Sequence, residues 1–356
     1  MKNLILSFAL LLGVILFFTS CKKKDAGTEP IDNSGDTLHV ILSKNSVEYN
    51  GFDYVNITVR NNAGDDVTSS CTIMQNGTFA ISSKYTPSGL GTFNISAKKG
   101  TMPSDSKPLT VTPKSPSPFS QKILVEDATG AWCGYCPRVA YALEEYKAAN
   151  PNCITVGIHG GSATDPYKFR YYSTYNSHFG ITGYPSAIIN RTREWSENNS
   201  ELDQAMRAWA PLGLAINSSV SGSNITGTIK VKFNVTTDKS MKVVIALVEN
   251  GLVYPQINYY APTFGPNPIT NFVHNGVLRK TATDLFGDPI SVGAQIKDNI
   301  FEKTFSMTLS GSTATGTFNA IAANCAIIAY VVDGSAQELG TYNVQYAPLG
   351  TNKDFD

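Results

Sequence analysis

Apolar and polar residues alternate with a two-residue period along much of the chain. Before residue 114 this holds for Leu38 to Leu42, Val55-x-Ile57-x-Val59, Thr78 to Ile81, Phe93-x-Ile95-x-Ala97 and Leu109-x-Val111. That period puts every second side chain on one face of a strand, so each stretch predicts a half-buried strand. Asn61 to Asp66 and Pro87-Ser88-Gly89 supply turns. Several short strands at this spacing predict an all-β sandwich over residues 37–113. The proline-spaced run over 114–118 predicts a stiff, extended linker.

The pattern changes over residues 119–213. Ile123 to Asp127 is strand-like, and Arg138 to Ala149 is helix-like with Val139, Leu143 and Tyr146 on one face, stopped by Asn150-Pro151. Ile154 to Ile158 predicts the next strand, and Asp165 to Ser177 a second helix, with Tyr167, Tyr171 and Tyr175 as an aromatic stripe for packing. Pro185 opens a strand over Ala187 to Asn190, and a hairpin at Thr192 leads to an edge strand. Ser200-x-x-Asp203 reads as a capping box for a last helix that turns Leu202, Ala205, Met206 and Trp209 to the sheet and ends at Pro211 and Gly213. Residues 214–356 return to strand patterns, in Ile229-x-Val231-x-Phe233-x-Val235, Val243 to Val248, Phe305-x-Met307-x-Leu309 and Ala326 to Val332, and predict a second β-sandwich. A Pro-rich loop between Gly251 and Gly276 carries Tyr254, Tyr259, Tyr260 and Phe264. It is placed either to cover a functional face or to pack as a crossover.

A chain of 356 residues requires more than one core. Its 28 basic and 28 acidic residues balance, so no basic face for nucleic acid is expected. Lys2, the apolar run from Leu4 to Phe18 and Thr19-Ser20-Cys21 read as a signal peptide over 1–20 with a lipoprotein cleavage site. The apolar run is short for a membrane span, and cleavage would leave Cys21 as the acylated first residue. Residues 21–36 are polar and predict a tether. Everything beyond would lie outside the cytosol, where disulfides persist.

The chemistry concentrates in Trp132-Cys133-Gly134-Tyr135-Cys136-Pro137, between the Ile123–Asp127 strand and the Arg138–Ala149 helix. A Cys at the first turn of a helix meets unpaired backbone N–H groups that stabilise a thiolate, so this spacing reads as a dithiol redox pair. Cys133 would be the nucleophile and Cys136, one turn inside, the resolving partner. Cys71, Cys153 and Cys325 lie in or beside apolar runs and read as small core residues. No second Cys-x-x-Cys accompanies the first, and Pro137 rather than His follows Cys136. Neither a thiolate zinc site nor covalent haem attachment is expected, and no metal or other cofactor.

The Trp-Cys-x-x-Cys motif after an apolar strand, Asp127 six residues before Cys133 and the Thr182-Gly183-Tyr184-Pro185 loop together resemble the thioredoxin superfamily over residues 119–213. Val125 to Gly130, Cys-Gly-x-Cys-Pro, Ile158 to Gly161, Gly183-Tyr184-Pro185, Ile189-Asn190-Arg191 and Asn275 to Lys280 in this order resemble the outer membrane protein twenty-eight-related lipoproteins of Gram-negative bacteria. The first sandwich resembles bacterial immunoglobulin-like modules. These resemblances imply a multidomain chain: an immunoglobulin-like sandwich, an α/β thioredoxin-like domain and a C-terminal β-sandwich. They imply a cis Pro185 beside the cysteines, and Asp127 as a buried acid exchanging the Cys136 proton, with Glu126 as the alternative. Neighbouring strand residues face opposite ways, so one of the two acids lies behind the dithiol. Trp132, Tyr135, Tyr184 and Pro185 would contact substrate, and His159 reads as a hydrogen-bonded structural residue.

Two functions stay open. One is a thiol-disulfide oxidoreductase or isomerase at the outer membrane, periplasmic or surface-facing, with cysteine-containing exported proteins as substrates and an unknown redox partner. The other is a non-catalytic surface binding or structural lipoprotein on a thioredoxin-like scaffold.

Overall fold

The computed structural model describes residues 37–335 and 340–356. The expected signal peptide, Cys21 and the tether lie outside the described residues.

Residues 39–113 form two facing sheets. One has the order His39–Leu42, Val55–Arg60, Lys84–Tyr85, and the other Ser46–Tyr49, Met102–Pro113, Gly91–Lys99, Thr72–Gln75, Phe79–Ile81. Alternation makes the core. Val55, Ile57 and Val59 are buried while their neighbours are not, and they meet Val40, Ile95, Leu109 and Val111. The sandwich is therefore present, with Ser46–Tyr49, Thr72–Gln75 and Lys84–Tyr85 as strands that the sequence pattern did not mark. The linker is pinned along its length: Ser115 Oγ donates to Glu48 and Ser117 Oγ donates to the Ala210 carbonyl. Phe52 packs edge-on against Tyr342 and Lys84 pairs with Asp238, so the sandwich is docked onto the rest of the chain.

The next unit begins with the Ile123–Thr129 strand, buried at all seven positions. It pairs in parallel with Cys153–His159 on one side and antiparallel with Ser186–Ile189 on the other, and Arg193–Glu194 forms the edge. Helix α1, Cys136–Ala149, covers one face of this sheet with Val139, Leu143 and Tyr146 against Ile123, Val125, Ala187 and Ile189. The second helix differs from the expected one. Helix α2 spans Tyr172–Phe179, so of the three-tyrosine stripe only Tyr175 sits in it, fully buried, because residues 165–171 form turns. Helix α3, Asn199–Met206, is capped by the Asn198 side chain, which accepts from the Ser200 N–H, not by a Ser200 capping box. It ends before Trp209, which packs against Phe52 of the first sandwich rather than against the sheet.

The boundary expected at 213/214 falls inside a strand, Leu212–Ser221, and the last two expected domains share one sheet. Beyond Cys153–His159 that sheet continues through Val277–Thr281, Met241–Glu249, Cys325–Asp333 and Thr341–Pro348. The join rests on a single registered pair, Gly157 with Val277, and on the Gly157 N–H donating to the Gly276 carbonyl at 2.8 Å. Gly276 has φ +62°, and a Cβ there would lie 2.7 Å from the Thr155 carbonyl oxygen, so only glycine allows this approach. A second sheet, in the order Ile300–Thr308, Asn224–Phe233, Leu212–Ser221, Asn352–Lys353, closes over one face of the shared sheet. The period of two explains how: Val243, Ile245 and Leu247 face this sandwich core, while Val244, Ala246 and Val248 face the layer that contains α2. Cys153 and Cys325 are buried in these cores as expected, and Cys71 is half-buried against the first.

A buried ion pair on the near side of the join reaches across it to Tyr330. Arg191 donates from Nε and Nη2 to the two oxygens of Glu126, at 2.9 and 2.8 Å, and from Nη2 to the Tyr330 hydroxyl at 2.6 Å. Both charged side chains are almost fully enclosed, so the carboxylate depends on its partner. Arg191→Leu is expected to lower unfolding stability by about 3–5 kcal/mol, because it strands a buried charge. Denaturant melts check this, and Glu126→Gln combined with Arg191→Leu should recover part of the loss.

Candidate functional site

Cys133 and Cys136 are joined in a disulfide with their Cα atoms 5.4 Å apart. Cys136 is the first residue of α1, with Pro137 next, and Cys133 lies in the preceding turn, where its N–H donates to the Gly130 carbonyl. The helix thus starts two residues earlier than its apolar pattern suggests. Cys136 sits at the helix mouth rather than one turn inside, and Cys133 just outside it.

Glu126 and Asp127 point to opposite faces, and Asp127 lies on the dithiol side. Glu126 is committed to Arg191, whereas Asp127 and Cys136 line the same cavity of about 340 Å³. Burial, with a smaller contribution from the negative charge of Glu197, pushes the Asp127 carboxyl up to about 7 against a hydrogen bond with Thr129. Its Oδ1 is buried and has no hydrogen-bond partner among the described residues. A carboxyl in this state can take up or release a proton near neutral pH, as exchange of the Cys136 proton requires.

Trp132, half-buried, is lodged between glycines. A Cβ at Gly130 or Gly161 would strike the indole, whose N–H donates to the Gly160 carbonyl at 2.8 Å. Tyr184 packs edge-on to Trp132 at 5.5 Å and accepts a hydrogen bond from Asn176 Nδ2. Its hydroxyl stands where a Gly160 side chain would be, which explains the Gly160-Gly161 pair in chemical terms. The Tyr184–Pro185 peptide bond is cis. Tyr135 is exposed. His159 is buried as a structural residue, its Nδ1 2.9 Å from Asp165 Oδ2. Burial would raise Asp165, but hydrogen bonds from His159 and from the N–H groups of Ala131 and Tyr167 hold it below the ordinary value.

The feature that sequence reasoning underrated is the segment 254–272, which lies across the dithiol as a strap. Its Ile257 and Tyr259 N–H groups donate to the carbonyls of Ala131 and Gly134, at 2.9 and 2.8 Å. The Gln256 amide donates to the Cys133 carbonyl at 2.8 Å and to that of Gly130 at 3.2 Å. A Cβ on Gly134 would collide with the Tyr259 ring; Tyr135 packs edge-on against Tyr259 and Tyr260, and Tyr141 stacks on Phe264 and packs edge-on against Phe272. Cys133 is consequently only 3% exposed and Cys136 1%. The aromatic residues of the loop were a visible signal. Gln256, which does most of the polar fastening, had none.

Residues 172–353 match the model of the family described as outer membrane protein Omp28. The chain belongs to this family and is an outer membrane lipoprotein. The match begins after the dithiol, so membership says nothing about its chemistry. Among solved structures, HBP35 of Porphyromonas gingivalis is similar with a TM-score of 0.50 and 17% identity, over 66% of this chain and 77% of that one. A domain of the outer membrane lipoprotein Omp28 from the same organism also aligns at 17% identity, over 40% of this chain and 89% of that one, with a TM-score of 0.26. No curated protein matches the chain.

Two expectations follow. The native Asp127 holds its proton more tightly than an unfolded carboxyl with an ordinary value of 3.8. Stability is therefore greatest below about pH 4 and falls as the pH rises to about 7, where the unfolded state has ionised first. Asp127→Asn should abolish this fall and gain up to about 4 kcal/mol relative to the parent at pH 8, as read in paired melts across pH. Gln256→Ala removes hydrogen bonds worth ~1 kcal/mol, so alkylation of reduced Cys133 should accelerate about fivefold or more, measured by quenched mass spectrometry.

Proposed function

We propose that this lipoprotein, acylated at Cys21, exchanges disulfides with cysteine-containing exported proteins through Cys133 and Cys136 on a thioredoxin-like scaffold spanning residues 119–213. The observation that carries the reading is the shared cavity of Cys136 and Asp127 at the mouth of α1, where a disulfide pair meets a carboxyl that titrates near neutrality. The parallel and antiparallel strand pairs around Ile123–Thr129, helices on both faces and the cis Tyr184–Pro185 bond support the scaffold.

In the reduced protein the Cys133 thiolate attacks a substrate disulfide, forming a mixed disulfide and releasing one substrate thiolate. Asp127 takes the Cys136 proton, and the Cys136 sulfur then attacks Cys133, so that the substrate leaves as a dithiol and the Cys133–Cys136 bond forms. The reverse sequence oxidises a substrate. Gly134 and Tyr135 tune which direction prevails, and a separate redox partner resets the pair. Trp132, Tyr135, Tyr184 and Pro185 border the path of an incoming chain, and the strap must yield for a protein to reach Cys133.

The burial of Cys133 favours a second reading, in which the disulfide is structural and the chain is a non-catalytic binding or structural lipoprotein. The readings separate in mutants: Cys136→Ser should accumulate mixed disulfides with exported proteins, and Cys133→Ser should form none. If both variants match the parent in non-reducing gels and in turnover of a protein disulfide, the second reading holds.

A further inference from the structure

The first stretch of the strap is an extended strand with both edges in use. The N–H groups of Tyr254, Gln256 and Asn258 turn inward, to the Phe272 carbonyl, the Ile269 carbonyl and Asn267 Oδ1, at 3.1, 3.0 and 3.0 Å. The Ile269 N–H returns a bond to the Gln256 carbonyl at 2.9 Å, so the strap is a hairpin held by bonds of its own. The intervening N–H groups, of Ile257 and Tyr259, turn outward to the carbonyls of Ala131 and Gly134. Alternate N–H groups point to opposite edges in a strand, so the strap joins the Cys133 turn as an added strand joins an open sheet edge. Side chains complete the fit. Gln256, 2% exposed, donates to the Cys133 carbonyl, and three residues on the Tyr259 ring lies where a Gly134 Cβ would come within 2.4 Å of it. The Tyr260 hydroxyl accepts from Arg138 of α1, and the exposed Tyr135 stands edge-on to both tyrosine rings. At its base the strap narrows to a ribbon of Leu252–Val253 with Val273–His274, between Gly251 at φ +70° and Gly276 at φ +62°. Its internal bonds survive if it swings away from the turn.

We propose that the carbonyl edge of Ala131, Cys133 and Gly134 is a receptor for an extended segment of a partner protein, and that the strap fills it from within the same chain. The partner segment resembles what it displaces: an uncharged amide side chain followed three residues later by an aromatic ring. Each part of that pattern has a physical reason. The two outward N–H groups of an extended backbone meet the Ala131 and Gly134 carbonyls, and the amide meets the Cys133 carbonyl. A carboxylate in the place of the amide would face the carbonyls of Gly130 and Cys133 and is excluded, and an ammonium there would be a buried charge. Gly134 has room for a flat ring and Tyr135 supplies an edge to it, so an aromatic residue anchors the segment. This edge serves either reading of the disulfide. On the redox reading, on which its role as client site rests, it grips the chain beside a client's disulfide, and Cys133 stays covered until a client displaces the strap.

The test uses the reduced full-length chain in detergent, with alkylation of Cys133 followed by quenched mass spectrometry. A tethered strap competes at an effective concentration on the order of millimolar, so the heptapeptide spanning Tyr254 to Tyr260 is supplied at about 5 mM. Gln256→Ala loosens the strap, and the peptide, which carries the missing amide, should slow alkylation of this variant about fivefold, back to the parent rate. Tyr259→Ala should respond in the same way, because the peptide brings the ring. The same peptide with Ala in place of its glutamine should leave the Gln256→Ala rate unchanged. Gly134→Ala puts a methyl group where the ring must lie, so its alkylation should be fast and the peptide should not slow it. Parent rates in both strap variants, no slowing by the peptide, or equal slowing by the Ala-bearing peptide or in the Gly134→Ala chain would overturn the proposal. Mixed-disulfide trapping by Cys136→Ser is read separately. Its loss with peptide cover intact counts against the oxidoreductase reading, and failure of the peptide with trapping intact counts against the receptor edge alone.

Discussion

Everything at the centre of this molecule depends on the pleat of one strand. Ile123–Thr129 is enclosed on both faces, and its alternation sends two adjacent acids to opposite fates. Glu126 enters the layer beneath α2, where it is neutralised by Arg191 and tied to Tyr175 and Tyr330. Asp127 enters the space behind α1, where no cation among the described residues holds it ionised. A shift of one residue in register would turn each acid to the opposite face and leave Glu126 as a bare carboxylate behind α1.

The shared sheet converts this local arrangement into a covered one. Gly276 lets the Val277–Thr281 strand join Cys153–His159, and the segment just before it, 254–272, is thereby delivered to the face of α1. The strap needs few bonds of its own because both of its ends are anchored in sheet. Its Gln256 amide and two backbone N–H groups take up carbonyls of the Cys133 turn that would otherwise be open to an extended chain. Access to the disulfide is thus a property of the C-terminal half, and the family match spans that half.

Much of this was legible in the sequence, for identifiable reasons. Val243 to Val248 is unbroken and apolar and Ile123 to Val125 opens the same way, as strands buried on both faces do, and Val55-x-Ile57-x-Val59 alternates, as a strand of a sandwich must. The cysteine pair declared itself by spacing and by its place before a helix. What escaped depended on tertiary partners. Residues 165–171 look helical by aromatic spacing, but Asp165 is drawn to His159 and to the Ala131 N–H, which fixes turns there. Trp209 has helical phase but finds Phe52 in another sandwich. The continuity of the sheet across residue 213 leaves no local trace, because Gly157 and Val277 are far apart in sequence.

The most direct measurement for the central claim is the reduction potential of the Cys133–Cys136 pair in the folded chain, equilibrated in thiol buffers, alkylated and read by mass. A pair that exchanges readily and titrates between roughly −120 and −270 mV is the predicted result, with the upper end favouring oxidation or isomerisation and the lower end reduction. A potential below about −300 mV with slow exchange would mark a structural disulfide and contradict the account.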